Sequence, residues 1–189
     1  MILAAVAISF MKLLMTFPVV IDGGSMLPSF HDGNQIYASS YEARFEEISK
    51  GDVVIFTLPY VSERSGWRIG SDDVELLPND LYVKRVIGAP GDVLIIKDGK
   101  VLVNGERLSE PYLRRGAVTE VEDFGKWMTE NSTIVLTADA GGFVYKVPEN
   151  SYFVMGDNRE SSIDSRHFTT TYIERNDIKG VFTYLTFPY

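Results

Sequence analysis

The chain has 189 residues, of which 45% are hydrophobic, with a formal net charge of −8 and no cysteine. This length suits one domain, or one core with an inserted lobe, and carries enough apolar side chains for a sizeable interior. The acidic balance and the lack of any Lys/Arg run disfavour a nucleic-acid partner, because phosphate binding needs a basic face; the missing cysteines exclude disulfides and thiolate chemistry without fixing the compartment.

The first segment, Met1 to Phe17, is almost wholly apolar, with Lys12 its only charge. It lies at the short end of the range for a membrane span. A cleaved signal peptide would have a basic start and a small-x-small site before Pro18, and both are lacking. An apolar helix packed on the domain is the plainer alternative. The favoured expectation is a membrane anchor over residues 1–17.

Beyond Pro18 the chain alternates short β-type runs with turns. Val19–Ile21 is β-branched and stops at Asp22-Gly23-Gly24. Strands are expected at Gln35–Tyr41, Asp52–Leu58 and Leu81–Ile87, with one or two helical turns within Tyr41–Ser49. Val93–Ile96 and Lys100–Val103 flank Asp98-Gly99, the strongest hairpin signal in the chain. Ser151–Met155 and Gly180–Phe187 complete the strands. Two stretches read as insertions: Tyr60–Asp80, polar and rich in Gly and Ser, and Gly105–Pro148, with one convincing strand at Thr133–Thr137. With no βαβ alternation, the fold class is mostly β and antiparallel. The division is an anchor over 1–17, a core over 18–104 and 149–189, and a smaller β lobe over 105–148.

Ser25 follows two glycines and precedes Met26-Leu27-Pro28. Glycines let the backbone come close to a ligand, and a serine at such a corner offers both its hydroxyl and its own N–H. Lys84 lies in Tyr82-Val83-Lys84-Arg85-Val86-Ile87. Tyr82, Lys84 and Val86 face one side of that strand and Val83, Arg85 and Ile87 the other. Both faces are largely apolar, so Lys84 is expected to be buried and its pKa depressed, yielding a neutral amine able to take the serine proton. Arg85 cannot serve as a base, because guanidinium stays protonated; it is expected to pair with Asp157 or Asp164. In the segment Gly156–Arg166, Ser162 could orient the lysine amine and Asp164 could pair with Arg166. The two histidines, His31 and His167, read as ordinary polar residues, and no spacing suggests a metal site.

These residues resemble a family, the type I signal peptidases, which are membrane-bound Ser-Lys proteases that remove signal peptides from exported preproteins. The resemblance runs from about Phe17 to Tyr189. Its blocks are Ser25–Pro28, Lys50–Phe56, Tyr82–Asp92 and Gly156–Arg166. It implies an antiparallel β-sheet catalytic core with an inserted β lobe and an N-terminal apolar membrane-anchor helix. It also implies Ser25 as nucleophile, Lys84 as general base, and Ser162, Asp164 and Arg166 as supporting residues. Ile21, Met26, Ile36, Ile55, Tyr82 and Val83 match positions that line shallow pockets for the substrate's −1 and −3 side chains, and the substrate would add as an extended strand. No cofactor is implied. The implied partners are signal peptides, the lipid bilayer and the secretion machinery. The implied location is the cell membrane, single-pass with the catalytic domain on the non-cytoplasmic side, or alternatively an organelle inner membrane.

Two positions depart from the common pattern. Ser29 stands where threonine is usual and keeps a hydroxyl. Gly23 stands where many members carry a serine that donates to the oxyanion, which leaves the Ser25 N–H as the evident donor. Two rivals are a self-cleaving Ser-Lys repressor, for which a DNA-binding helix-turn-helix region is missing, and a catalytically silent membrane β protein, which would have no need of both Ser25 and Lys84.

Overall fold

The computed structural model describes residues 2–58, 81–121, 134–137, 142–167 and 171–186, with backbone alone for 2–5 and 134–137. The insertion expected over Tyr60–Asp80 and the residue Thr133 lie outside the described residues.

The chain opens with α1 (Ile2–Leu14). Alanine, leucine and methionine favour the helix, and no Gly or Pro interrupts it. It closes where the Thr16 hydroxyl donates to the Lys12 carbonyl at 2.8 Å, and the next residues are extended. Residues 16 and 17, grouped with the helix on hydropathy, therefore belong to β1 (Thr16–Val20). Among the described residues no helix is long and apolar enough to cross a membrane. Nor does α1 pack lengthwise on the domain, since Val6, Ile8, Phe10, Met11, Leu13 and Leu14 are all exposed. Its C-terminal end is held polar-side down on α2 (Ser40–Phe45). Lys12 Nζ lies 2.5 Å from Glu46 Oε1 and 5.5 Å from the centroid of the Tyr41 ring. The Ser40 N–H and hydroxyl both donate to the Met15 carbonyl, at 2.9 and 3.0 Å.

The strands among the described residues form two antiparallel sheets. The larger runs in the order β1, β2 (Gln35–Ser39), β12 (Ile178–Thr186), β3 (Val53–Thr57), β4 (Leu81–Gly88), β10 (Ser151–Met155) and β11 (Ile173–Glu174). The smaller runs β7 (Glu106–Arg107), β6 (Lys100–Val103), β5 (Val93–Lys97), β9 (Gly142–Lys146) and β8 (Ile134–Thr137). The Asp98-Gly99 hairpin forms as its sequence indicates: Lys97 pairs with Lys100, and both turn residues have positive φ. Pro18 does not end β1. It pairs with Tyr37 on an edge strand, where its missing N–H costs no ladder bond.

Three apolar clusters cover the large sheet and explain the two-sided apolar character of β4. Val86 joins Val54, Phe56 and Val154 in one. Ile87 joins Leu94, Tyr145 and Phe153 in a second, which ties the two sheets together. Val83 joins Ile55, Ile36 and Met26 in the third. Val86 and Ile87 are fully buried, as is the antiparallel neighbour Val54, which pairs with Lys84. Lys84 is thus carried at the centre of a covered strand.

Candidate active site

Ser25 sits in the connection between β1 and β2. That loop is closed at its base by Ile21 N–H to the Asn34 carbonyl and Gly33 N–H to the Ile21 carbonyl, both at 2.9 Å. Gly23 donates its N–H to Asp32 Oδ1 at 2.8 Å and has φ +82°. No heavy atom would crowd a side chain there, so backbone conformation alone favours glycine at this position. Within the loop, Leu27 N–H donates to the Gly24 carbonyl and Phe30 N–H to the Met26 carbonyl. The Ser25 N–H donates to no backbone or side-chain acceptor among the described residues.

Lys84 reaches this loop from β4. Its Nζ lies 2.8 Å from Ser25 Oγ and 3.0 Å from the Val83 carbonyl. Burial disfavours the ammonium form strongly enough to bring its pKa down to about 8, with Asp164 and Asp157 pulling the other way. The amine is therefore neutral in a substantial fraction of molecules near physiological pH, which a solvated lysine near about 10.4 could not achieve.

The segment after β10 frames the pair. Asn158 donates its backbone N–H to the Ser25 carbonyl and its Nδ2 to the Gly24 carbonyl, each at 3.0 Å. Gly156 packs so closely that a Cβ would lie 2.5 Å from the Ser25 carbonyl oxygen and 2.2 Å from Ser162 Oγ. Only glycine fits there. The Ser162 hydroxyl is buried and has no hydrogen-bond partner among the described residues; the lysine's bonds go to Ser25 and Val83. Asp164 is fully buried. It forms a two-point pair with Arg166 (Nε–Oδ1 and Nη2–Oδ2, both 2.8 Å) and accepts from the Gly156 N–H at 3.0 Å. Burial would raise its pKa, but the Arg166 guanidinium outweighs this and holds the carboxyl well below the usual range.

Arg85 pairs with Asp157 of the two carboxylates expected, through Nε–Oδ1 at 2.8 Å and Nη2–Oδ2 at 2.6 Å. The Ser29 hydroxyl donates to the same carboxylate at 2.5 Å, so the residue found in place of threonine keeps a bond. Asn158, Ser29 and Asp157 thus lock the Ser25 loop to β4 and the β10 turn. Asn158 falls within the Gly156–Arg166 block, but the sequence reading gives it no role of its own, because contacts to backbone carbonyls leave no spacing signal. Arg159, in the same block and likewise without an assigned role, reaches across to Thr119 Oγ1 at 2.6 Å and Glu110 Oε1 at 2.5 Å. His31 is exposed, and His167 lies beside Asp164. Among the described residues no group of three His, Cys, Asp or Glu side chains could hold a metal ion.

Of the six residues matched to substrate pockets, Ile21, Met26, Ile36, Ile55 and Val83 belong to one buried cluster. Tyr82 does not. It is carried on the opposite face of β4 and packs against Phe56, with ring centroids 5.9 Å apart.

A family model described as signal peptidase, peptidase S26, matches residues 1–187. The chain belongs to the signal peptidase family. Signal peptidase I of Bacillus licheniformis is 36% identical over 172 residues, covering 91% of this chain and 77% of that protein. Signal peptidase I T of Bacillus subtilis is 33% identical, covering 91% of this chain and 74% of its own length. A crystal structure of a signal peptidase I from Enterococcus faecalis aligns with a TM-score of 0.43 at 25% identity, covering 72% of this chain and 97% of that one.

Proposed function

We propose that this signal peptidase cleaves exported preproteins after small-x-small sites by acyl transfer through a Ser25–Lys84 dyad. The observation that carries the reading is a buried amine 2.8 Å from a serine hydroxyl, with burial lowering the amine's pKa to about 8. The neutral Lys84 amine accepts the Ser25 proton as Oγ attacks the scissile carbonyl. The Ser25 N–H donates to the oxyanion. The Lys84 ammonium then passes its proton to the departing amine, leaving an ester on Ser25. Water, deprotonated by the same amine, hydrolyses that ester and frees Oγ. Ser162 stands ready to accept from the ammonium, and Asp164–Arg166 brace its loop.

β1 is the edge of the large sheet that leads directly into the Ser25 loop, which suits a substrate adding as an extended strand. The exposed apolar surface of α1 supports a membrane anchor, and we place the β domain on the non-cytoplasmic side, where exported preproteins emerge.

The test is incubation of the full chain, in detergent, with a preprotein. Cleavage at the small-x-small site that disappears in Ser25→Ala supports the dyad. Cleavage of the chain itself instead would favour a self-processing protein, and no cleavage in either protein would favour a silent binder.

A further inference from the structure

A groove of about 360 Å³ opens between α2, the 3-10 turn at Arg175–Asp177 and the start of β12. Ala43, Arg44, Arg175, Asn176, Ile178 and Lys179 line it. Among the described residues, three cations and no carboxylate line this groove, in a chain whose net charge is −8. Their bonds go to neutral groups. Arg175 donates to the Tyr152 hydroxyl at 2.9 Å and to the Glu46 carbonyl, and Lys179 to the Asn176 carbonyl at 3.2 Å. None of the three has a carboxylate partner among the described residues. Glu174 and Asp177 neighbour these side chains in the chain and the Glu46 carboxylate pairs with Lys12, so the groove offers three cations that no described carboxylate pairs directly.

On the side of α2 that faces α1, exposed apolar groups border the groove. Phe45, next to Arg44, is 65% exposed and its ring lies 5.1 Å from that of Tyr41. Tyr41 faces Lys12 of α1, whose apolar side chains are exposed in turn. Cations bordered by exposed aromatic and aliphatic groups make a surface suited to an anionic bilayer. We propose that the groove holds the phosphate of an anionic phospholipid, with Phe45 and α1 beside its acyl chains. The lipid source rests on the reading of α1 as a membrane anchor; the anion chemistry rests on the groove.

The test titrates dihexanoylphosphatidylglycerol, dihexanoylphosphatidylcholine and inorganic phosphate into the full chain in a neutral detergent, followed by calorimetry. Saturable phosphatidylglycerol binding is expected, at least ten-fold tighter than phosphatidylcholine and at least ten-fold weakened in Arg44→Gln/Lys179→Gln. Both side chains are exposed, so the variant should fold, and Lys179→Gln alone should fall between. Equal affinity in wild type and the double variant, or phosphatidylcholine binding as tightly, would overturn the proposal. Inorganic phosphate matching phosphatidylglycerol would overturn the lipid assignment. Preprotein cleavage by the same samples judges the dyad separately: binding lost with cleavage intact counts against the groove alone, and cleavage absent with binding intact counts against the peptidase reading alone.

Discussion

Asn158 holds the peptide of Ser25, donating its backbone N–H to the Ser25 carbonyl at 3.0 Å while its side chain donates to the Gly24 carbonyl. The two bonds fix the peptide on either side of Ser25, whose Oγ lies 2.8 Å from Lys84 Nζ. Asn158→Ala removes the side-chain bond and keeps the backbone one. It should cost about 1 kcal/mol in the site, or roughly a five- to ten-fold fall in kcat/KM, with little change in unfolding temperature. Asn158→Asp should be worse than alanine, since it sets a negatively charged acceptor against the Gly24 carbonyl oxygen. Steady-state kinetics on a peptide substrate read the difference, and an aspartate variant as active as the alanine variant would count against this geometry.

Lys84 should set both the activity and the stability of the protein against pH. Its folded pKa, about 8, lies below the ordinary 10.5. Between these values the unfolded chain binds more protons than the folded one, so stability should climb as pH rises through that window. Below about pH 8 the buried charge weighs against folding in full. Lys84→Met keeps the volume and removes the charge, and should stabilise the fold at about pH 6 by on the order of 3 kcal/mol while abolishing cleavage. The gain should vanish above pH 10.5. Lys84→Arg should be inactive at every pH, because guanidinium does not deprotonate. Wild-type kcat/KM should rise through an apparent pKa near about 8; control by a group near about 10 would contradict the buried-base picture.

Asp164 and Arg166 carry the opposite risk. Both are buried and each satisfies the other at two points. Asp164→Ala would strand a guanidinium in the interior and free the Gly156 N–H, with an expected loss of about 3–5 kcal/mol. Denaturant unfolding checks it. Because the Asp164 carboxyl is held far below its ordinary range, its stabilisation is present above about pH 4 and fades as pH falls. The variant should therefore lose the steep acid limb that the wild type shows.

How much of this is legible in the sequence depends on what each residue type must do. Lys84 can be found because a lysine amid Val83, Val86 and Ile87 on a strand has few bland explanations. Turn chemistry is equally plain at Asp98-Gly99, where positive φ and the hairpin coincide. The β9 strand, Gly142–Lys146, is hidden in a stretch read as lobe, since its short apolar run follows two glycines and only pairing with β5 completes it. The start of β1 is hidden by Pro18, which is harmless only because β1 is an edge strand. The length of α1 cannot be read from hydropathy, because Met15-Thr16-Phe17 suits a strand as well as a helix. Asn158 and Arg159 act through backbone carbonyls and distant loops, and such bonds leave no pattern in local spacing.

The pocket residues yield the last prediction. Met26, Ile36 and Ile55 are essentially inaccessible, and Val83 and Ile21 are less than a tenth exposed. If the substrate's −1 group docks on these residues, as proposed, side chains this buried would form a floor rather than walls, a shallow surface suited to a small group. A preprotein with alanine at −1 should be cleaved, and leucine there should block cleavage. Val83→Ala trims the floor where it is most exposed and should let larger −1 side chains in, narrowing the alanine-to-serine and alanine-to-valine preference, at a stability cost of about 1–2 kcal/mol. Tyr82, on the opposite face of β4, should leave that preference unchanged when replaced by phenylalanine. Competition between paired preproteins, read by mass spectrometry of the products, measures both variants together; a preference shifted by Tyr82→Phe and untouched by Val83→Ala would place the pocket on the other side of the strand.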